Sequence, residues 1–259
     1  VEMAELCDGD VIFFGLDEHL PAIVAHRAAG KRVVFVRKGQ VVLATGSEES
    51  SVGATANMPL TYAGRVDFQI ENVLAAVAAA WSMGVALDVL RAGVTTFDVG
   101  QVDAPGRFTL FEKQGATVIV DDAHNAPALS ALAAALARLP AERRIAVYGP
   151  GLDRMDEDLQ AEGKLLAQTF ERVVLCDDLS VERKRPLAES RAQLRAGIDT
   201  AGRKVQVTDA TERRAAAEAA LAELVSGDLL VLQADEGGAG AMLDLVHLWM
   251  GQPMRALAA

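Results

Sequence analysis

The chain has 259 residues, of which 51% are hydrophobic and 24% are charged, and its formal net charge is -11. This composition is typical of a folded globular protein with a core large enough for one or two domains. The acidic balance argues against a surface that binds nucleic acid, and no apolar run has the length that a transmembrane helix needs. The two cysteines, Cys7 and Cys176, follow no metal-ligand pattern and favour a reducing, cytoplasmic compartment.

Residues 1–104 predict a strand, a helix, a hairpin and two further helices. In chain order these are DVIFFGLD (10–17), LPAIVAHRAAG (20–30), RVVFVRKGQVVLATG (32–46), ENVLAAVAAAWSMG (71–84) and ALDVLRAGVTTF (86–97). The hairpin is expected to turn at Lys38-Gly39. Because these elements offer a poor core by themselves, we expect residues 1–104 to be the tail of a domain whose earlier part is absent. The valine at position 1 also fits a fragment.

Residues 105–259 alternate between short apolar strands and helices of about three to four turns. The strands are ATVIVDDA (116–123), RIAVYGP (144–150), RVVLCDD (172–178), KVQVTDA (204–210) and DLLVLQAD (228–235). An edge strand and turn, RFTLFEKQG (107–115), precede them. This alternation predicts a Rossmann-like α/β fold, with five parallel strands in one sheet and helices on both faces. The boundary between the two parts falls near residues 102–108, where Pro105-Gly106 interrupts the helical pattern.

Most of these strands end in acidic residues or in a Gly/Pro turn. The ends are Asp121-Asp122, Gly149-Pro150-Gly151, Asp177-Asp178 and Asp235-Glu236. The carboxyl ends of strands in an open parallel sheet form the crevice where ligands bind, so we expect these residues to meet on one edge. The alternative for each single acid or amide is that it caps the helix that follows.

The common cradles for nucleoside phosphates are missing from this sequence. It contains no G-x-x-x-x-G-K-[ST] motif, and no G-x-G-x-x-G follows a predicted strand. Its four histidines are scattered, and neither H-x-x-x-H nor C-x-x-C occurs, so no metal site is predicted.

Three segments nevertheless resemble the Mur-type amide ligases. They are QIENVLAAVAAAW (69–81), APGRFTLFEKQGATVIVDDAHN (104–125) and GLDRMDED (151–158), in this order and at this spacing. The likeness is greatest to the cyanophycin synthetase branch of the family. It implies an enzyme that uses ATP and Mg2+ to phosphorylate a carboxylate, which an amine then attacks to give an amide. Residues 1–104 would be the remainder of the central ATPase domain without its P-loop, and residues 105–259 the Rossmann-like C-terminal domain.

The resemblance also implies a nucleotide site. Asn72 would contact the adenine, Arg107 the phosphates and Asp121 the ribose, while His124 and Asn125 would shape the pocket. Arg107 and His124 would take part in catalysis. These roles agree with the chemistry of the side chains, because guanidinium binds phosphate well and a carboxylate accepts a hydrogen bond from a ribose hydroxyl.

The amino-acid substrate would meet the two loops that follow the next strands. In the cyanophycin synthetase branch the amine is arginine, which is joined to side-chain carboxylates of polyaspartate. The residues implied on these loops are Asp153, Arg154, Asp156, Asp178 and Arg183. Carboxylates would match a guanidinium, although acids at 153–158 are equally expected at a helix N-terminus. We expect no nucleic-acid or membrane partner, but the missing N-terminal part or a homo-oligomer could complete the site.

The chain departs from the family pattern at five positions, Asp122, Ala126, Leu152, Met155 and Ala188. The alternative to a ligase is therefore a non-catalytic, diverged module that binds a nucleotide or a partner. A folate-type polyglutamate ligase would share the fold and the chemistry, but the amino-terminal half of the chain argues against it.

Overall fold

The computed structural model describes residues 2–97, 106–150, 154–176, 187–234 and 238–251. They belong to two compact units, Val1–Val102 and Asp103–Ala259. Some residues discussed above lie outside the described residues, namely Val1, Pro105, Gly151, Leu152, Asp153, Asp177, Asp178, Arg183, Asp235 and Glu236. In the described ranges, no helix combines the length and the apolar character that crossing a bilayer requires.

The first unit is a four-stranded sheet with helices on both faces. Its elements are β1 (Phe13–Gly15), α1 (Pro21–Ala28), β2 (Arg32–Arg37), β3 (Gln40–Thr45), β4 (Glu48–Ala54), α2 (Asp67–Ser82) and α3 (Leu87–Thr96). The strand order is β1-β2-β3-β4, with β1 parallel to β2 and the other pairs antiparallel. Lys38 and Gly39, with φ of 48° and 72°, form the tight turn between β2 and β3.

Strand β4 was not predicted, and it changes the expected core of this unit. Its sequence, EESSVGA, buries only Val52 and so lacks the apolar alternation of a typical strand. With β4 in place, α2 and α3 pack on the sheet face that carries Val34 and Leu43. Helix α1 packs on the opposite face, which carries Phe35 and Val42. The unit therefore has apolar packing on both faces of its sheet.

The second unit is a six-stranded sheet with five helices among the described residues. Its strands are β5 (Thr109–Lys113), β6 (Ala116–Asp121), β7 (Arg143–Tyr148), β8 (Arg172–Cys176), β9 (Gln206–Ala210) and β10 (Asp228–Gln233). Its helices are α4 (Ala126–Leu136), α5 (Asp156–Thr169), α6 (Leu187–Asp199), α7 (Arg213–Ala222) and α8 (Ala239–Met250). The strand order is β5-β6-β10-β7-β8-β9. Only β5 is antiparallel to its neighbour, which confirms the predicted edge strand and five parallel strands.

Strand β10 comes last in the chain and lies at the centre of this sheet. All six of its residues are buried, and it pairs with β6 on one side and with β7 on the other. Leu232 is in register with both Val120 and Val147. Helices α7 and α8 pack against the sheet in one apolar cluster. The carboxyl ends of β6, β10 and β7 are therefore brought level with one another.

Helices α5 and α6 touch through their backbones at two glycines. A Cβ atom on Gly163 would lie 2.0 Å from the carbonyl oxygen of Leu194. A Cβ atom on Gly197 would lie 2.0 Å from the carbonyl oxygen of Gln160. Neither distance is compatible with a side chain, so this crossing requires glycine on both helices.

We expect Gly163→Ala to lower the free energy of unfolding by about 2 kcal/mol or more, because two helix backbones must separate to admit the methyl group. Gly240→Ala in α8 is the matched control, since nothing lies within 4 Å of its added Cβ. That variant should be unchanged or slightly more stable, as alanine favours helix. Urea unfolding of the 259-residue chain measures both. Equal effects of the two substitutions would contradict the close crossing.

Candidate active site

The candidate site lies at the carboxyl edge of the second sheet, where three strand ends are joined by hydrogen bonds. Asp121 ends β6 and is in register with Gln233, which ends β10. The backbone N–H of Ala234 donates to the Asp121 carbonyl at 3.0 Å. The buried side chain of Gln233 accepts a hydrogen bond from the N–H of Gly149, just after β7, at 3.3 Å. Sequence reasoning brought Asp121 and Gly149 to this edge but did not identify Gln233.

Asp121 carries a carboxyl group with an altered acidity. Burial raises the pKa of Asp121 from 3.8 to about 6. Hydrogen bonds from the backbone N–H groups of Ala123, at 2.9 Å, and of Phe108 oppose this shift. The nearby charge of Asp122 raises the pKa further, and that of Arg107 lowers it. Asp121 is therefore an ionised hydrogen-bond acceptor only above about pH 6.

Asp122 joins two of the predicted site residues. Its Oδ2 lies 3.2 Å from Nη1 of Arg107, and its Oδ1 lies 3.1 Å from Nδ1 of His124. Its side chain is only 9% exposed, whereas Arg107 and His124 are 54% and 41% exposed. One enclosed carboxylate thus anchors two accessible side chains.

The contacts of His124 determine where its ring proton sits. Nδ1 lies 2.8 Å from the Asp122 carbonyl oxygen and 3.1 Å from the Asp122 carboxylate, and both are acceptors. Nδ1 must therefore carry the proton, which leaves Nε2 as the acceptor in the neutral ring. We refer to Arg107, Asp122 and His124 as the Asp122 cluster.

The sequence placed Asp122 at a strand end and identified it as a departure from the family pattern, but it did not predict the contacts of this side chain. A usable signal was present, because an acid two residues before a histidine in a turn can reach its Nδ1. The contact with Arg107 could not be predicted from sequence spacing, because Arg107 lies before β5, on a different segment of the chain.

The backbone before β5 fixes the position from which Arg107 extends. Gly106 has φ of 77°, and a Cβ atom there would lie 2.7 Å from the Cβ of Ala239. Phe108 is fully buried with φ of 51°, a conformation that costs a non-glycine residue about 1 kcal/mol or more. Arg107 is thus held between a glycine that allows close packing and a buried aromatic anchor.

Asn125 serves as the N-cap of α4. Its side-chain oxygen accepts a hydrogen bond from the backbone N–H of Ala128 at 2.9 Å. The capping alternative therefore accounts for this side-chain oxygen, and a role of Asn125 toward a nucleotide stays a prediction.

The remaining predicted residues have local contacts or positions of their own. Asn72 lies on α2 of the first unit, where its Nδ2 donates to Oε1 of Gln69 at 3.0 Å. Asp156 begins α5, whose first turn also contains two further acids, as expected for the positive end of a helix dipole. Arg154 precedes that turn and is half-buried. No group of three or more His, Cys, Asp or Glu residues in the described ranges is placed to hold a metal ion.

A buried polar pair near the same edge was also missed. The hydroxyl of Tyr148, at the end of β7, donates to Oε2 of Glu162 on α5 at 2.9 Å, and both residues are buried. Burial is the main cause that raises the pKa of each group. The sequence signal was an acid within the apolar stripe of α5, between Leu159 and Leu166.

Comparison with known proteins agrees with this architecture. The family described as "Mur ligase, glutamate ligase domain" matches residues 106–235, half of the chain. Cyanophycin synthetase of Geminocystis herdmanii is 27% identical over 248 residues, which cover 95% of this chain and 28% of that protein. Cyanophycin synthetase of Trichormus variabilis is 31% identical over 196 residues, covering 76% of this chain and 22% of that protein. The chain thus spans about a quarter of the length of these relatives.

Among solved structures, E. coli FolC in complex with ADP and without folate substrate superposes with a TM-score of 0.61. The two share 17% sequence identity, and the match covers 90% of this chain and 53% of that chain. At this identity the likeness shows the fold, which agrees with the predicted α/β class. With the family match over residues 106–235, it follows that the chain belongs to the Mur ligase family.

Proposed function

We propose that this chain is part of an ATP-dependent carboxylate–amine ligase of the cyanophycin synthetase type, which joins arginine to side-chain carboxylates of polyaspartate. The observation that carries the proposal is the Asp122 cluster beside Asp121 at the carboxyl edge of the sheet. The names of the relatives support the choice of substrates. We place the reaction in the cytoplasm, in keeping with two cysteines that form no disulfide with each other.

The proposed reaction has two steps. A carboxylate oxygen of the acceptor attacks the γ-phosphorus of ATP, which gives an acyl phosphate and ADP. The amine nitrogen then attacks the acyl carbon, phosphate leaves, and the nitrogen loses a proton to give the amide. The first step needs positive charge around the phosphates, and the second needs a proton acceptor near the amine.

The described residues offer one group for each need. Arg107 presents an exposed guanidinium that can contact phosphate oxygens while Asp122 fixes its position. The side chain of His124 is 41% exposed, and its Nε2 can accept the proton that the amine releases. Asp121 would accept from the ribose, and Asn72 would contact the adenine.

The P-loop and the groups that hold Mg2+ are proposed to come from outside this sequence, either from another part of the protein or from another chain. The sequence contains no P-loop, and its described part contains no metal cluster. Mg2+ would supply charge neutralisation on the phosphates when bound. We therefore assign no step of the reaction in this chain to Mg2+.

The amine site is proposed on the side of α5 and α6. Arg154 and Asp156 lie at the start of α5, and Asp153, Asp178 and Arg183 would join them. The acids would match the guanidinium of an incoming arginine, and the arginines would match the acidic acceptor.

A non-catalytic binding module is the second candidate. The departures from the family pattern at Asp122, Ala126, Leu152, Met155 and Ala188 favour it. A ligation assay of the full-length gene product with ATP, Mg2+, arginine and an aspartate-rich acceptor separates the two. Phosphate release that depends on both amino-acid substrates supports the ligase, and none supports the module.

The pKa of Asp121 predicts two opposite effects of acidification. Nucleotide affinity should fall as pH drops through about 6, because the protonated carboxyl no longer accepts from the ribose. The free energy of unfolding should rise over the same window down to pH 3.8, by up to about 3 kcal/mol, because the folded state binds the proton more tightly. Asp121→Asn should remove both trends. Calorimetric ADP binding and urea unfolding at several pH values measure them, and a wild type without either trend contradicts the role.

Arg107→Ala should lower ATP-dependent turnover of the full-length enzyme at least tenfold, about 1.4 kcal/mol, because one cation is lost from the phosphates. Arg214→Ala is a suitable control, since Arg214 lies on the exposed surface of α7 and pairs there with Glu218 at 3.1 Å. Steady-state phosphate release measures both variants. Unchanged kinetics for Arg107→Ala would refute the assigned contact.

The 259 residues by themselves should show no Mg2+-dependent ATPase or ligase activity above background, although weak nucleotide binding can persist. Arg107 supplies one positive charge, but the backbone cradle and the metal ligand of a P-loop are missing. The measurement is phosphate release from purified, folded chain with ATP, Mg2+, arginine and acceptor. Turnover that Asp121→Ala abolishes would mean that the chain contains its own phosphate site.

A further inference from the structure

The turn after β7 is held by a side chain from the last strand of the sheet. The paired residues of β7 and β10 end at Val147 and Leu232. Beyond them, the N–H of Gly149 donates to the side-chain oxygen of Gln233 at 3.3 Å, and both residues are buried. The side chain of Gln233 thus takes the place of a backbone acceptor at the point where β7 leaves the sheet. This buried N–H therefore keeps a hydrogen-bond partner, as a buried backbone group requires.

Gly149 is also approached closely by two other elements. A Cβ atom at this position would lie 2.6 Å from Nη2 of Arg213, which begins α7, and 3.2 Å from the carbonyl oxygen of Cys176, which ends β8. Arg213 is only 8% exposed, so its guanidinium has little room to move aside. Groups from β10, β8 and α7 therefore converge on Gly149 and together fix the direction in which the chain leaves β7.

This direction matters because the connection after Gly149 leads to the proposed amino-acid site. It runs to Arg154 and to Asp156, where α5 begins. The other end of the connection is fixed as well, because α5 is held against α6 by the backbone contacts at Gly163 and Gly197. A change at either end would displace the residues between these two fixed points.

Gln233 contacts its two neighbouring strands through different groups. Its backbone is in register with Asp121, and the next N–H, that of Ala234, donates to the Asp121 carbonyl at 3.0 Å. Only its side chain reaches Gly149. A substitution of Gln233 should therefore disturb the turn after β7 and leave the backbone hydrogen bonds to the end of β6 in place.

We propose that Gln233 is a positioning residue for the arginine substrate: its side chain holds the N–H of Gly149 and thereby fixes the start of the connection that carries the proposed amine site. It acts through the turn after β7 and not by contact with the substrate. The inference rests on the proposed ligase function for the identity of the substrate, whereas the hydrogen bond between Gln233 and Gly149 is independent of that function.

The first test measures KM values of the full-length enzyme carrying Gln233→Met or Gln233→Leu. Both substitutions remove the acceptor oxygen and keep a side chain of similar size. KM for arginine should rise about tenfold, and KM for ATP should stay within about twofold of the wild type. Partial unfolding would lower the amount of active enzyme, and hence the apparent kcat, without raising KM. Gln206→Met is the control and should change neither KM, because Gln206 is an exposed residue at the start of β9. An unchanged KM for arginine in both Gln233 variants would overturn the proposal.

The second test does not need enzymatic activity. In a 15N-glycine NMR spectrum of the 259-residue chain, assigned with Gly149→Ala, the amide of Gly149 should exchange with solvent more slowly than that of the exposed Gly202. Gln233→Met and Gln233→Leu should speed the exchange of Gly149 about tenfold or more, and Gln206→Met should not. Exchange of Gly149 as fast as that of Gly202 in the wild type, or unaltered exchange in both Gln233 variants, would refute the hold on the turn. These exchange changes in a protein that shows no ligation would support the hold and refute the ligase proposal alone.

Discussion

The insertion of β10 between β6 and β7 is the constraint on which the candidate site depends. This strand is buried along its whole length. It is hydrogen-bonded to β6 on one side and to β7 on the other, so it joins two strands that do not pair with each other. Gln233 at its end reaches Gly149 on one side and is in register with Asp121 on the other. The turn after β6 and the turn after β7 therefore lie at the same edge of the sheet. They are separated by β10, the last strand in the chain.

Within that frame, two adjacent acids differ because their surroundings differ. Burial disfavours the charged form of Asp121 and raises its pKa to about 6, although two backbone N–H groups donate to its carboxylate and oppose this shift. The side chain of Asp122 is 9% exposed and contacts Arg107 and His124. The first acid is thereby suited to accept from a neutral hydroxyl, and the second to hold two side chains in place. Because both residues are aspartate, the difference comes from the groups that surround each carboxylate.

The sequence predicted the second unit well because apolar strands such as Val118–Val120 alternate with helices that carry clear signals. It missed β4 because EESSVGA shows no apolar period, and only pairing with β3 makes this segment a strand. It also missed the contacts of Asp122 and Glu162. Both depend on neighbours that are distant in sequence, Arg107 for the first and Tyr148 for the second. Local patterns place the elements, whereas the partners of buried polar groups follow from how the elements pack.

The backbone contact of α5 with α6 has a consequence for protein engineering. Packed helices usually adjust to one another through small shifts of the side chains between them. At Gly163 and Gly197 no side chains intervene, so the two helices are interlocked. Transplanting α5 alone from a relative would bring together two surfaces that did not arise as a pair. The smallest portable cassette that keeps this contact intact is therefore the segment 156–199, which contains both helices, exchanged in one piece.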